Sequence, residues 1–302
     1  MVLELRDWVQ FLLSGVSTGC IYALIGLGII VTYSVTRVIN MAQGEFVMLG
    51  AMLAVLFSRS LALPLWLAFP LAVVATACLG AVVQRLTIAP ARRASEVTLL
   101  LITIGTAIGL RGLALLLWGT TPRPLPSFTP GPPLAVAGAA LSLQRLWIMG
   151  ATVVALSLLY FFFEFTLLGK ALRACSVNRR AAALSGIPTG TMATIAYVLS
   201  ASLGAVAGIV IAPLTLVSYD MGLALGLKGF VVAVMGGFVS APAAVAGGVL
   251  LGVLEAFAAG LFTAGLKDAL AFLILFLVLL SRTVGRPVLR RGKLSFRPGS
   301  QA

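Results

Sequence analysis

The sequence predicts an all-α fold: a polytopic membrane helix bundle with about eight or nine spans, some broken or re-entrant, forming a single domain over residues 1–302. Composition is the first ground. Of 302 residues, 61% are hydrophobic and 10% charged, and mean hydropathy is +1.13, against about 25% charged residues in a water-soluble domain. Second, the charges are confined to short gaps between apolar runs of roughly 18 residues or more, the length at which a helix crosses a bilayer. Third, small residues recur at every fourth position: Gly15, Gly19 and Ala23; Ser200, Gly204, Gly208 and Ala212; Ser240, Ala244, Gly248, Gly252, Ala256 and Gly260. Such ridges let helix backbones approach closely in lipid, and they read as packing within one chain.

Residues 11–35 make the first span, about 37 Å long at ~1.5 Å per residue, enough for a ~30 Å hydrocarbon core. Glu4, Arg6 and Asp7 precede it in place of a basic flank, and the run is too long for a signal-peptide core, so it reads as retained. A polar interruption at residues 37–45 (RVINMAQGE) follows. The next apolar run, 46–57, covers only about 18 Å as a helix. It is too short to cross alone, so the polar break is expected to enter the membrane, with Gly44 permitting the bend. Residues 64–83 form a further run, 84–96 a basic linker containing Pro90, and 97–118 a fourth span.

Residues 119–145 hold Pro122, Pro124, Pro126, Pro130, Pro132 and Pro133, a density that excludes a helix and marks an external loop. The chain spans back over 146–168, forms a basic cytosolic loop at 169–192, and returns over 193–217. Residues 228–261 are too many for one straight crossing, and Gly236, Gly237 and Ser240-Ala241-Pro242 break them in the middle. Residues 268–281, opened by Lys267 and Asp268, are the last span before a basic cytosolic tail at 282–302.

Lys plus Arg outnumber Asp plus Glu by 21 to 8, a formal charge of +13. The placement argues against nucleic acid as partner. Arg85, Arg92 and Arg93, then Lys170, Arg173, Arg179 and Arg180, then Arg282, Arg286, Arg290, Arg291, Lys293 and Arg297 fall in three segments, and positive loops stay cytosolic. The chain has no histidine, which removes Ser-His and Cys-His catalysis and most zinc sites. Neither Gly-Lys pair, at Gly169 or Gly292, carries the following hydroxyl of a phosphate-binding loop. Cys20, Cys78 and Cys175 form no framework and read as free thiols. Any ATP must therefore be bound by another subunit.

The stretch GVSTGCIYALIGLGIIVTYSVTRVINMAQGEFVMLGA (15–51) resembles the membrane permeases of branched-chain amino-acid ABC importers. The likeness continues through PARRASEVTLLLITIG (90–105), GKALRACSVNRRAAALSGI (169–187), GLKGFVVAVMGGFVSAPAAVAGG (226–248) and LKDALAFLILFLVLL. The order and spacing match those of the shorter of the two permeases such systems use. The resemblance implies a second permease, two ATPase subunits and an extracytoplasmic substrate-binding protein, all at a prokaryotic inner membrane in contact with lipid. It also implies a pore-forming transport subunit that is not an enzyme and works by alternating access, with no cofactor of its own. Amide and urea importers belong to the wider family.

Two sets of residues follow. Asn40, Gln43 and Glu45 interrupt an apolar region, and polar groups at membrane depth face a cavity or the bundle interior; they are candidates for the substrate path, a plain cytosolic turn being the alternative. The family often has His in place of Gln43 and Phe in place of Met41. Glu255 stands beside Gly252 and Ala256 on the longest small-residue ridge, so it is expected off the lipid face, either packed or lining the path. The family's ATPase-docking helix, Glu-Ala-Ala-x3-Gly, is matched by Arg180, Ala181, Ala182 and Gly186, with Arg for Glu. Glu164 and Asp220 read as interfacial. The rival class is an ATPase-independent secondary carrier, disfavoured because charges at membrane depth are sparse.

Overall fold

A computed structural model of the chain describes residues 4–91, 94–136, 138–261, and within the last segment 269, 271–274, 276–278 and 280. Among the described residues, six helices are long and apolar enough to cross a membrane. They are α1 (Leu5–Thr36), α3 (Leu65–Val83, extended by a π-helical turn to Ile88), α4 (Glu96–Trp118), α5 (Leu143–Phe165), α8 (Thr189–Ile211) and α10 (Ala241–Leu261). Two shorter apolar helices, α2 (Gln43–Val55, continued as a π-turn over Leu56–Ser60) and α9 (Met221–Met235), lie among them. The short helices α6 (Leu167–Val177) and α7 (Arg179–Leu184) stand at one end of the bundle. In the expected last span, 271–274 and 276–278 are helical. Arg92, Arg93, Lys267, Asp268 and the basic tail 282–302 lie outside the described residues.

The helix α1 is apolar on every side and is buried over its second half, from Gly19 onward with few interruptions. A helix hydrophobic all round belongs in the middle of a bundle. It is joined there to α10 by two of the ridges read from the sequence. A Cβ at Gly19 would lie 2.6 Å from the Val249 Cα and 2.7 Å from the Gly248 carbonyl oxygen, so backbone meets backbone. The third ridge, on α8, receives α2: the Gly208 face is filled by the Val47 carbonyl, and a Cβ at Gly204 would stand 3.0 Å from the Phe46 Cβ. By contrast α3, α4 and α5 turn long apolar side chains outward, among them Val74, Ile108, Leu116, Val153 and Leu158, onto surfaces the rest of the bundle leaves uncovered.

The break between α9 and α10 falls where the glycines and proline predict it, between Met235 and Ala241. Gly237 (φ 67°) and Phe238 (φ 58°) both adopt left-handed backbone. Phe238 is held there by its ring, 4.8 Å from that of Tyr33 and 5.9 Å from that of Phe230. The other break departs from expectation. Gly44 lies inside α2 and does not make the bend; Arg37 does, as a left-handed cap on α1 (φ 60°) whose N–H bonds the Tyr33 carbonyl. What Gly44 provides is proximity, since a Cβ there would overlap the Gly222 carbonyl at the start of α9.

The proline-rich segment is largely irregular, and it also holds a small antiparallel hairpin, β1 (Leu134–Val136) with β2 (Ala139–Leu141), turned at Gly138 (φ 82°). The Ala140 N–H donates to Gln10 Oε1 (2.9 Å), so the hairpin sits at the N-terminal end of α1. Arg123 pairs through its backbone with Val217, tying the same loop to the connection before α9. At the other end of α1, Arg37 donates to the Ser176 carbonyl on α6 (2.8 Å). The proline-rich segment and the basic loop therefore occupy opposite ends of the bundle.

Candidate functional site

Polar groups gather inside the bundle in two places, and a third group forms the α6–α7 end. The first lies at the α1–α2 break. Asn40, Gln43 and Glu45 are all buried. The Asn40 Oδ1 accepts from the Ala42 N–H (3.1 Å), closing the turn locally. Thr103 of α4 pins the same turn: its hydroxyl accepts from the Met41 N–H (3.3 Å) and donates toward the Ile39 carbonyl (3.2 Å). Gln43 is a clamp. Its Nε2 donates to the Ser200 carbonyl (2.9 Å), and the Ser200 hydroxyl lies between Gln43 Oε1 and the Gly28 carbonyl, joining α2, α8 and α1. Gly28 is required there, because a Cβ would run into the Gln43 amide.

Glu45, in the first turn of α2, is ion-paired with Arg111 of α4 at 2.5 Å. The glutamate side chain is 2% exposed and the arginine 23%. Arg111 lies fifteen residues into α4, about 22 Å along its axis, so its guanidinium is at membrane depth. An unscreened charge there costs roughly 2.5–3.5 kcal/mol on insertion scales, which is why such residues face protein or water. The pair leaves three buried polar atoms nearby without a hydrogen-bond partner among the described residues: Glu45 Oε2, Arg111 Nε and Asn40 Nδ2.

The second cluster joins Glu255 of α10, Tyr22 of α1 and Lys228 of α9. The Tyr22 hydroxyl donates to Glu255 Oε2 (2.7 Å), and Lys228 Nζ lies 3.1 Å from Oε1 and 3.2 Å from Oε2. These side chains line a cavity of about 570 Å³ that also takes in Ser14, Thr18 and Arg145 and is otherwise mostly aliphatic. Glu255 is buried and hydrogen-bonded, as expected, and it also borders open space. Sequence reasoning treated Lys228 only as a boundary and passed over Arg111 within a span. A lone cation in an apolar run was the signal for both, and both answer an acid. Among the described residues Arg111 and Lys228 are thus paired with acids inside the bundle, which removes part of the sequence argument against a carrier.

The third group is the basic end. The Asn178 side chain caps α7, accepting from the N–H groups of Arg180 and Ala181 (3.1 Å each), and Gly186 (φ 82°) stops it. Arg180, Ala181, Ala183 and Leu184 face outward, Leu184 with 91% exposure. Ala182, also expected on the docking face, is 4% exposed and belongs to a buried cluster with Leu172, Cys175, Met192 and Ala196. Glu164 is exposed and paired with Arg173 at 2.8 Å, and Asp220 accepts from the Ser218 hydroxyl at 2.5 Å, both at helix ends.

A family model described as the permease component of branched-chain amino acid transport systems matches residues 11–279. The chain belongs to this family. This permease is 31% identical over 295 residues to the high-affinity branched-chain amino acid transport system permease protein BraD of Pseudomonas aeruginosa, an alignment covering 93% of this chain and 96% of the relative. It is 30% identical over 298 residues to the correspondingly described LivH of Escherichia coli, at the same coverages. Among solved structures, one titled PsaBC from Streptococcus pneumoniae in complex with Fab aligns over 91% of each chain at 15% identity and a TM-score of 0.49. The permease is a multi-pass membrane protein of a transport family, and the clusters above are its polar interior.

Proposed function

We propose that this permease is the pore-forming subunit of an inner-membrane ABC importer for branched-chain amino acids. Separate ATPase subunits and a second permease work with it, and an extracytoplasmic binding protein delivers substrate. It is a transport subunit and not an enzyme, and ATP is bound by its partners. The observation that carries the reading is similarity to BraD and LivH at 30–31% identity over 93% of this chain and 96% of each relative. The crossings number eight or nine: six full spans, the partial helices α2 and α9, and the segment around 271–278. With the basic α6–α7 end in the cytosol, α1 starts outside and residues 119–145 are external.

In this reading α7 is the coupling helix, and its outward residues Arg180, Ala181, Ala183 and Leu184 meet the ATPase, with Gly186 ending the contact. The open face of α4 meets the second permease: Cβ atoms at Gly105, Gly109 and Gly112 would have nothing within 4 Å, and Arg111, 23% exposed, lies on the same helix. The substrate path runs past the α1–α2 break. Copurification of the tagged permease with its ATPases tests the reading. Leu184→Glu should leave the permease folded yet abolish coupled uptake; unchanged uptake would place the ATPase elsewhere.

The break gives a second expectation. Asn40→Leu should reduce uptake several-fold while the complex still assembles, because the turn loses only one local hydrogen bond. Gln43→Leu should additionally lower thermal stability, by about 1–3 kcal/mol, since it removes both buried hydrogen bonds between Gln43 and Ser200. Expression, melting temperature and uptake measured side by side separate the two effects.

A further inference from the structure

The Glu45–Arg111 pair holds an ion pair in a peculiar state of satisfaction. Arg111 Nη2 and Glu45 Oε1 satisfy one another at 2.5 Å. Beyond that contact, one acceptor, Glu45 Oε2, and one donor, Arg111 Nε, are buried with no partner among the described residues. Buried polar atoms are nearly always bonded, and an ion pair stripped of water gains only when its remaining lone pairs and protons are satisfied. The unmet pair of atoms is one donor and one acceptor on opposite charges. That is the complement of a zwitterion: a carboxylate needs the donor and an ammonium needs the acceptor.

The surroundings fit the rest of such a molecule. Ile108 and Leu115 stand three residues before and four after Arg111 on α4, on the same stripe of the helix, and offer aliphatic surface. The bare glycines of α4 leave room beside that stripe. Arg111 keeps 23% exposure at membrane depth, so the pair lies at the edge of the subunit and is reached from the α4 side. Glu45 also sits where two helix starts cross, with Gly222 of α9 packed on Gly44 and a Cβ at Gly222 placed 2.9 Å from Glu45 Oε2.

We infer that Glu45 and Arg111 form the head-group subsite for an α-amino acid passing through this permease, Glu45 Oε2 accepting from its ammonium and Arg111 Nε donating to its carboxylate. The inference rests on the proposed substrate reading and assigns a role to Arg111 within it.

The test uses the purified complete transporter without its binding protein, so that delivery does not set selectivity. Melting temperature is measured with millimolar leucine, with leucinamide, which lacks the carboxylate, and with 4-methylpentanoate, which lacks the ammonium. Leucine should raise it by a few degrees and the two analogues by at most a fraction of that. The shift should vanish in the isosteric double variant Glu45→Gln/Arg111→Gln. An undiminished leucine shift in the double variant, or equal shifts by the single-charge analogues, overturns the subsite; so does no shift with leucine in the native complex. Should the double variant fail to assemble, Arg111→Lys, which keeps the charge facing Glu45 but lacks the Nε donor, takes its place, and an undiminished leucine shift in it overturns the subsite equally. ATP-driven leucine uptake by the native complex is recorded in parallel. Uptake present with the shift pattern absent removes the subsite alone, whereas absent uptake removes the substrate reading itself.

Discussion

Glu255→Leu is expected to be the most damaging single change at the charged interior, reducing purified yield several-fold and lowering stability by about 3–5 kcal/mol, the typical cost of leaving one member of a buried ion pair alone. The substitution removes the carboxylate that lies 3.1 Å from Lys228 Nζ and accepts from the Tyr22 hydroxyl, so the lysine loses its counter-charge and keeps only neutral contacts such as the Tyr22 hydroxyl at 3.3 Å. Glu255→Gln keeps a hydrogen-bonding oxygen near both donors and should be much milder. The double variant Glu255→Leu/Lys228→Met should recover most of the loss, because exchanging a whole buried pair for apolar residues is often neutral. Thermal unfolding in detergent checks all three. Equal stability of the Leu and Gln variants would show that the pair is dispensable to the fold.

The second large effect belongs to the α1–α10 contact. A Cβ at Gly252 would overlap the Gly19 backbone N–H group and the Gly15 carbonyl, with no flexible side chain to give way. Gly252→Leu must therefore drive the two helices apart, and the loss should exceed the ~1–3 kcal/mol usual for overpacking a core. Gly109→Leu is the contrasting case. Nothing lies within 4 Å of its Cβ position, so the isolated subunit should fold as before, while pairing with the second permease should fail. Size-exclusion profiles of the permease alone and of the assembled pair distinguish the two. A Gly109→Leu protein that still pairs would move the interface off α4.

Much of this architecture was legible in the sequence because lipid imposes simple rules. Apolar length marks the full spans, and the glycine ridges mark where backbones touch: Gly19 meets Gly248, and Gly208 meets Val47. The α9–α10 break was legible from Gly236, Gly237 and Pro242. The start of α9 was not, since Lys228 looked like the edge of a span until Glu255 was found beside it. A charge reads as a boundary when taken along the chain and as an interior group only when its partner, 27 residues away, is known. The hairpin at Leu134–Leu141 was hidden by the surrounding prolines, and three-residue strands leave almost no alternating pattern.

The candidate site shows the same division. Asn40, Gln43, Glu45 and Glu255 stand out in any reading because they interrupt apolar sequence. Their individual roles depend on contacts from distant segments: Ser200 converts Gln43 into a clamp, and Arg111 gives Glu45 a partner. On α7 the pattern Arg180, Ala181, Ala182 and Gly186 was visible, yet spacing alone could not say that Ala182 faces inward while Leu184 faces out. Over a helix of six residues, one residue of rotation decides which side chain meets a partner.

The central claim is that this subunit moves branched-chain amino acids only when ATPases drive it. The direct measurement is leucine accumulation in liposomes containing the permease, its partner permease and ATPases, with the binding protein on the side of residues 119–145 and ATP on the side of α7. Accumulation should require ATP hydrolysis and disappear with an ATPase-dead partner. Leucine flux of equal size without ATP would contradict the account and make the protein a self-contained carrier.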